Sequence, residues 1–154
     1  NFSKIPHQGT FNANPLSAAA GIAMLDQVAG DDITAKANEQ GEKLKILWNS
    51  VFAAESIPWA AYGVGSSIYI FTNPDSLDID PEKFDATSQP MALMETGGNH
   101  PATGLFRLAM LVNGVDISSK PGAIVSAVHG ENDIAEAGEA LRASLAMLKA
   151  EALL

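Results

Sequence analysis

The sequence contains no cysteine, and this absence removes several kinds of chemistry. Among its 154 residues there is no thiol for a disulfide, a thiolate metal site or a cysteine nucleophile. The sequence also shows no secretory leader and no apolar run long enough to cross a bilayer. This composition is compatible with a reducing compartment, and we therefore expect a cytoplasmic protein.

Positive charge is also scarce in the chain. Lys and Arg total 9 against 18 for Asp and Glu, which gives a formal net charge of -9. Nucleic acids and anionic membranes attract a cationic face, and no basic run supplies one, so the composition argues against both partners. A hydrophobic fraction of 47% is that of a folded protein, and the length suits one domain with its own core.

Residues that bind metals or activate nucleophiles are few. The 3 histidines are His7, His100 and His129, and no pair of them has the i, i+4 spacing or the HExxH pattern of a helical metal site. Ser126 and His129 could form half of a nucleophilic pair, but no GxSxG elbow supports this, and a structural hydrogen bond is the better interpretation. We predict no metal site and assign no catalytic residue.

Three other stretches invite a functional interpretation. YGVGS (62–66) contains a Gly-x-Gly, but it precedes a strand pattern instead of following one, so it fails as a dinucleotide fingerprint. The carboxylates of the long loop lack the order of a calcium site and indicate a solvated surface; they are Asp75, Asp78, Asp80, Glu82 and Asp85. Gly97, Gly98 and Asn99 predict a flexible tip that could approach a ligand of no specified kind.

Apolar periodicity predicts four helices: from Pro15 to Gly30, over 31–56, over 101–114, and from about Glu131 onward. Each helix should present one apolar face to a core. The residues expected on these faces are Ile33, Ala37, Leu44, Trp48 and Val51 in the second helix, Leu105, Leu108, Leu111 and Val112 in the third, and Ile134, Leu141, Leu145 and Leu148 in the last.

Two short apolar runs, SIYIF (67–71) and AIVSAV (123–128), predict buried strands. A long loop from Asn73 to about Pro101 separates the first strand from the third helix. The order of elements predicts a small α/β or α+β layer structure, a short sheet covered by helices. Because two strands are few for an independent sheet, we expect further chain to complete the fold.

The stretch HQGTFNANPLSAAAG (7–21) combines a ligand-type loop with a helix start. Asn14 suits the N-cap and Pro15 the first helical position. Ahead of them, Gly9 allows close backbone approach and Thr10 supplies a hydroxyl. The positive end of a helix nearby favours an anion, especially phosphate, although an ordinary turn before a capped helix fits the spacing as well.

The same stretch resembles the segment H-G-G-T-[FY]-x-x-N-P-L-x-x-A-A-G of class III pyridoxal-phosphate aminotransferases. The shared residues are His7, Gly9, Thr10, Phe11, Asn14, Pro15, Leu16, Ala19, Ala20 and Gly21, and Gln8 replaces the first Gly. The end of the chain is similar to G-V…S-x-x-H-[TG]-x-x-D-I…A at Gly114, Val115, Ser126, His129, Gly130, Asp133, Ile134 and Ala140. The middle stretch YGVGSSIYIFTN (62–73) resembles the glutamate-1-semialdehyde aminomutase-like subgroup.

This resemblance implies the C-terminal portion of a fold-type I transferase that uses pyridoxal 5'-phosphate. Residues 1–14 would end the large domain at the interface, and residues 15–154 would form the C-terminal small domain, beginning with the interdomain helix. The implied activity is the transfer of an amino group between an amino donor and a carbonyl compound, as in a transaminase or an aminomutase-type isomerase. A large domain and a small amino or keto substrate are the implied partners.

The resemblance also implies roles for particular residues. Gly9 and Thr10 match the pair that reaches the cofactor phosphate across the interface of a homodimer. The family's lysine that bonds the cofactor lies upstream of this motif, so the chain alone is expected to be inactive. Where the aminomutases proper carry a Glu, this chain has Pro121, which makes a related amino-group transfer at least as well supported.

Two alternatives remain open at the level of sequence. In one, the chain is a non-catalytic dimerisation or interaction module. In the other, which is less well supported, it is a small enzyme that uses His129 or His100 as a general base. A lysine upstream of the Gly-Thr motif would favour the transferase, and a pH–rate profile reporting a histidine would favour the last alternative.

Overall fold

The computed structural model describes residues 9–30 and 32–154. The chain divides into two compact units, Asn1–Ile33 and Thr34–Leu154. Its helices and strands are α1 (Pro15–Gly30), α2 (Ile33–Ala54), β1 (Ala60–Val64), β2 (Ser67–Phe71), α3 (Met91–Thr96), α4 (Thr103–Val112), β3 (Gly122–Ile124) and α5 (Glu131–Ala150). The predicted domain boundary between residues 14 and 15 concerns a longer protein and stays a prediction.

The first unit contains α1, which has the predicted bounds. Helix formers fill it, and the side chain of Asn14 caps its first turn by accepting hydrogen bonds from the backbone N–H groups of Leu16 and Ser17. None of the α1 residues is buried, and its large apolar side chains, among them Ile22 and Leu25, are exposed. The apolar periodicity of α1 thus predicts the helix correctly, although none of its apolar side chains is buried in a core.

The second unit contains a three-stranded antiparallel sheet in the order β1-β2-β3. The sequence predicted β2 with its bounds but missed β1, which forms a hairpin with β2 and places Tyr62 opposite Tyr69. Alanine and glycine make up much of β1 and are weak strand formers. The hairpin turn depends on Gly65, which has a φ of 61°.

The outer edge of β1 is paired by α2. The amide of Asn49 donates to the Ala61 carbonyl at 3.0 Å and accepts from the Ala61 N–H at 2.6 Å. Nζ of Lys45 lies 3.5 Å from the Gly63 carbonyl oxygen. Side chains from a helix thus occupy groups that a neighbouring strand would bind, and they close this edge against further pairing.

The prediction of a buried strand over 123–128 is wrong at both its length and its burial. Only three residues, Gly122–Ile124, are extended and paired. The side chain of Ile124 is 81% exposed and that of Val128 is 88% exposed. The strand lies at the sheet edge, where the side chain of Ile124 is on the solvent side, and a turn at Ser126–His129 ends the pairing.

Side chains of α2, α4 and α5 form the core together with those of β1 and β2. The largest fully buried side chains of this core are Trp48, Trp59, Phe52, Phe106, Ile68, Ile70, Met110, Leu141 and Leu145. The predicted inner face of α5 is confirmed, since Ile134, Leu141, Leu145 and Leu148 are buried. In α2, Leu44, Trp48 and Val51 are buried as predicted, whereas Ile33 and Ala37 in its first turns are only half-buried.

The predicted inner face of α4 is wrong. The side chains expected inside are exposed, from 49% at Leu105 to 76% at Val112. The buried residues are Phe106, Ala109 and Met110. Phe106 meets Trp59 edge to face with ring centroids 5.3 Å apart, and this large aromatic contact determines which apolar stripe of α4 faces the core.

The segment 73–101 contains more structure than the predicted loop. It forms two short 3₁₀ turns, Pro81–Lys83 and Ala86–Ser88, and the helix α3. The five acidic residues predicted as a solvated surface are exposed, and Asp80 and Asp85 cap the two turns. Gly97 is buried against Phe71 with no room for a Cβ, so the predicted flexible tip is packed at this position.

Candidate anion-binding site

Residues 9–14 form a compact turn in front of α1. The Gly9 carbonyl accepts the Asn12 N–H at 3.0 Å, and the Phe11 carbonyl accepts the Asn14 N–H at 3.1 Å. A Cβ on Gly9 would lie 2.9 Å from Oδ1 of Asn12, so a larger residue there would displace the Asn12 side chain. Thr10 lies within the turn and is exposed.

The first amides of α1 are already bonded within the helix start. Oδ1 of Asn14 accepts from Leu16 at 3.0 Å and from Ser17 at 3.1 Å, and the Ala18 N–H bonds to the Asn14 carbonyl at 3.0 Å. Pro15 has no N–H. An anion at this site is therefore left with the Thr10 hydroxyl, the backbone of the turn and the positive end of the helix dipole.

The chemistry of this turn suits a phosphate. Residues 9–14 read Gly-Thr-Phe-Asn-Ala-Asn and include no carboxylate, and no acidic residue occupies the first turn of α1. A dianion here would meet neutral donors and a positive dipole without nearby repulsion within this stretch. The structure thus provides the donors that the predicted roles of Gly9 and Thr10 require, and those roles stay predictions.

The histidines fall into different environments. His7 lies outside the described residues. His100 is half-buried, its ring meets Trp59 edge to face, and Nδ1 accepts the Ala102 N–H at 3.1 Å. Burial lowers the pKa of His100 below its usual value. A neutral imidazole that accepts at the start of α4 has a structural role, which does not favour the general-base alternative.

The structure brings Ser126 and His129 together. Oγ of Ser126 lies 3.0 Å from Nδ1 of His129, but the Ser126 backbone N–H donates to the same nitrogen at 2.9 Å. Both residues are exposed. Within residues 9–30 and 32–154, no carboxylate forms a hydrogen bond with this imidazole, so the third member of a nucleophilic triad is absent there. The geometry is that of a turn closing before α5.

The described lysines are poor candidates for bonding a carbonyl cofactor. Four of them form ion pairs: Lys43 with Glu39 and Glu131, Lys45 with Glu42, Lys83 with Asp80, and Lys149 with Glu55. The hydrogen bond to Glu131 raises the pKa of Lys43, and the one to Asp80 raises the pKa of Lys83. Attack on a carbonyl needs a neutral amine, and the raised pKa values of Lys43 and Lys83 favour the charged form of these two side chains.

The described part of the chain offers neither a metal centre nor a membrane span. Those residues contain no group of three or more His, Asp or Glu side chains placed to hold a metal ion. No helix among them combines the length and apolar character needed to span a bilayer.

An open groove of about 850 Å³ runs beside the β1–β2 hairpin. We call it the hairpin groove; its walls include Lys45 and Ile46 from α2, Tyr62 and Tyr69 from the hairpin, and Phe84 and Asp85 from the 3₁₀ turns. The groove is not predicted from the sequence, because the pattern of the sequence does not predict β1. The signal available was the placement of Tyr62 and Tyr69 on either side of a Gly-Ser turn.

The fold places the chain among pyridoxal-phosphate-type transaminase structures. A transaminase with PLP bound aligns with a TM-score of 0.70 over 96% of this chain and 30% of that chain, at 24% identity. An omega-transaminase from Sphaerobacter thermophilus aligns with a TM-score of 0.64 over 92% of this chain and 30% of its own, at 19% identity. The predicted fold class is therefore confirmed: the chain has the fold of part of these enzymes.

Two of the similar proteins are glutamate-1-semialdehyde aminomutases. The chain is similar to glutamate-1-semialdehyde 2,1-aminomutase of Methanosarcina acetivorans, with 29% identity over 140 residues. A glutamate-1-semialdehyde aminomutase structure from Pseudomonas aeruginosa aligns with a TM-score of 0.64 over 96% of this chain and 31% of that chain, at 19% identity. The predicted resemblance is thus confirmed. No family model matches the chain.

The similarity covers much of this chain but little of the curated relative. The alignment with the Methanosarcina protein includes 86% of this chain and 28% of the relative. The chain therefore spans less than a third of the curated relative that it matches.

Proposed function

We propose that this chain supplies the Gly-Thr turn and the small domain of a class III aminotransferase that uses pyridoxal 5'-phosphate. The observation that carries the proposal is a donor-bearing, carboxylate-free turn, capped directly into α1, in a chain with the fold of part of the transaminases. The complete enzyme would transfer an amino group between a small amino donor and a carbonyl compound.

In this proposal the residues of the turn hold the phosphate. The Thr10 hydroxyl donates to it, the turn around Gly9 brings backbone close to it, and the positive end of α1 favours its charge. When bound, the cofactor supplies the electron sink for the chemistry, and the protein supplies binding, orientation and electrostatics. We propose that Thr10 serves the site of the other subunit in a homodimer.

We assign no proton transfer or covalent step to the described residues. The described lysines are paired or exposed, and the described histidines form structural hydrogen bonds. The proposed enzyme therefore takes its cofactor-bonding lysine from a large domain. This chain alone is proposed to be inactive.

We further propose amino transfer between two molecules in preference to the aminomutase isomerisation. Pro121, at the position where the aminomutases proper carry a Glu, is buried, and its carbonyl accepts the Ile70 N–H at 2.8 Å. A proline offers no carboxylate to a substrate amine at this point.

The test is made on the longer protein that we propose contains this chain. Purified with pyridoxal phosphate, it should show bound-cofactor absorbance that changes when amino donors are added, with release of one keto product per site. A keto acceptor should then restore the original spectrum. A protein that retains no cofactor, or that binds it without releasing any product across a panel of donors, would contradict the proposal.

One observation favours the interaction-module alternative. The outward face of α4 carries Leu105, Leu108, Leu111 and Val112, all exposed. Exposed apolar stripes of this kind are common at protein interfaces. If the longer protein neither binds pyridoxal phosphate nor transfers amino groups, this alternative becomes the better proposal.

A further inference from the structure

The lining of the hairpin groove contains side chains of two chemical kinds. Some are apolar and aromatic. Tyr62 and Tyr69 lie side by side with ring centroids 5.8 Å apart, and Phe84 lies 6.1 Å from Tyr62 in an edge-to-face arrangement. Ile46 and Val64 add to this apolar surface and are exposed. The apolar surface is therefore available to a flat or chain-like organic group.

Other lining side chains are acidic. Glu42, Glu82 and Asp85 line the groove, and Lys45 is its only charged partner of opposite sign among the lining residues. Lys45 already has partners, because its Nζ lies 2.6 Å from Glu42 and 3.5 Å from the Gly63 carbonyl. Two carboxylates are left without a cation among the lining residues, namely those of Glu82 and Asp85.

Of the two remaining carboxylates, that of Asp85 is held in the charged state and that of Glu82 is open to solvent. Oδ1 of Asp85 accepts from the backbone N–H and the hydroxyl of Thr87, and these bonds lower the pKa of Asp85. Glu82 is exposed. Lys83 beside it is paired with Asp80 at 2.6 Å. An anionic ligand would meet repulsion here, whereas a cation would meet carboxylates and tyrosine faces.

We propose that the hairpin groove binds an organic ammonium ion whose apolar body packs on Tyr62 and Tyr69 while its charge lies near Glu82 and Asp85. All of these residues belong to the unit Thr34–Leu154. The site is separate from the Gly9–Thr10 turn and needs no cofactor. The inference therefore stands or falls independently of the proposed function.

The experiment is an NMR titration of the 154-residue chain with 2-phenylethylammonium. Two matched probes separate the contributions: 3-phenylpropionate keeps the ring and reverses the charge, and ethylammonium keeps the charge without the ring. We expect saturable shifts of the amides of residues 61–69 and 82–87 with phenylethylammonium, and markedly weaker binding of both other probes. Added salt should weaken the binding, since exposed charges contribute.

Variants test the acidic and the aromatic side chains separately. Glu82→Gln removes one charge at an exposed position and should weaken binding about two- to fivefold. Tyr69→Leu removes one aromatic face and should weaken it by a similar factor of about two to five. Asp78→Asn removes an exposed carboxylate outside the groove and should leave the affinity unchanged.

Three results would overturn the proposal. One is binding of 3-phenylpropionate to the same amides as tightly as the ammonium. Another is a set of shifts that lies outside the groove. The third is an affinity for 2-phenylethylammonium that neither Glu82→Gln nor Tyr69→Leu reduces.

Discussion

Thr10 is the residue on which the proposed cofactor site most directly depends. Its hydroxyl lies in a turn without a carboxylate, and the neighbouring helix amides are occupied by Asn14. Because those amides are occupied, the loss of the hydroxyl cannot be replaced by the first turn of α1. The side chain of Thr10 should therefore matter more here than at an uncapped helix start.

In the longer protein, we expect Thr10→Ala to weaken pyridoxal-phosphate affinity by about 1.5–3 kcal/mol, or roughly one to two decades, because a charge-assisted hydrogen bond is lost. Thr10→Ser keeps the hydroxyl and should retain most of the affinity. Thr34→Ala, an exposed threonine in α2, is the matched control. Equilibrium dialysis of the cofactor measures the difference, and equal affinities for the Ala and Ser variants would refute the assignment.

His100 should make the stability of the chain depend on pH. Burial lowers the pKa of His100 in the folded state, so below the usual histidine pKa the unfolded chain binds the extra proton first. The stabilisation from the neutral ring is therefore complete above about pH 6.5 and is lost as the pH falls toward the lower folded-state pKa.

Urea unfolding at about pH 7.5 and about pH 5.5 checks this sign. The parent chain should be less stable at the lower pH, and His100→Asn, which keeps an acceptor for the Ala102 N–H, should lose part of that dependence. His129→Asn changes an exposed histidine and serves for comparison. An unchanged pH dependence in His100→Asn would show that the lowered pKa of His100 contributes nothing.

At the scale of elements, β1 is the part of the fold that the sequence did not predict. Its residues are weak strand formers, and its pairing depends on Asn49, which is distant in sequence and bonds both polar groups of Ala61. The residue pattern of β1 alone does not contain the position of Asn49, so it cannot predict this pairing. The helices, by contrast, follow from caps and apolar periodicity, and α1, α2 and α5 begin within two residues of the predicted positions.

We expect Asn49→Ala to destabilise the chain by about 1–3 kcal/mol, since it leaves the N–H and carbonyl of Ala61 without their partner at a part-buried edge. Asn49→Asp keeps the acceptor but loses the donor, so its stability should lie between those of the parent chain and Asn49→Ala. Asn132→Ala, at an exposed position of α5, should have little effect. Chemical unfolding measures all three, and a cost for Asn49→Ala no greater than for Asn132→Ala would contradict the edge-pairing role.

Helix α4 shows the limit of periodicity in a different way. It carries two apolar stripes, and hydrophobicity alone favours the leucine stripe that is in fact exposed. The choice is made by the contact of Phe106 with Trp59, which depends on a residue 47 positions earlier in the numbering. The orientation of α4 could not be predicted because the partner that determines it is not local.

A pair of alanine variants distinguishes the two orientations of α4. Phe106→Ala should cost about 3–5 kcal/mol, because it leaves a cavity against Trp59. Leu108→Ala, on the exposed stripe, should change the free energy of unfolding by no more than about 0.5 kcal/mol in the isolated chain. A larger cost for Leu108→Ala than for Phe106→Ala would support the orientation expected from the sequence.

At the scale of the whole molecule, the candidate phosphate turn was predictable and the hairpin groove was not. Gly9, Thr10 and Asn14 are close in sequence, so one motif contains the whole turn. The groove combines a helix, a hairpin and two 3₁₀ turns, and it exists only once the register that pairs Tyr62 with Tyr69 is known.

For the isolated chain, we expect no stable covalent lysine adduct with pyridoxal phosphate. Lys43, Lys45, Lys83 and Lys149 are engaged in ion pairs, and those pairs raise the pKa of Lys43 and of Lys83. Borohydride reduction followed by peptide mapping should give only scattered, substoichiometric labelling, with free lysine as the control for non-specific reaction. A single lysine labelled at one equivalent per chain would place the cofactor-bonding residue within this sequence.

The ends of the segment 73–101 meet at one residue. Thr72 donates through both its N–H and its hydroxyl to the Gly97 carbonyl, and its Oγ1 accepts the His100 N–H at 3.2 Å. These bonds join the end of β2 to the residues just before α4, and they do not involve residues 73–96. Because each doubling of a flexible loop costs only about 0.6 kcal/mol in closure entropy, this excursion could lengthen or shorten among homologues while the frame around it keeps its geometry.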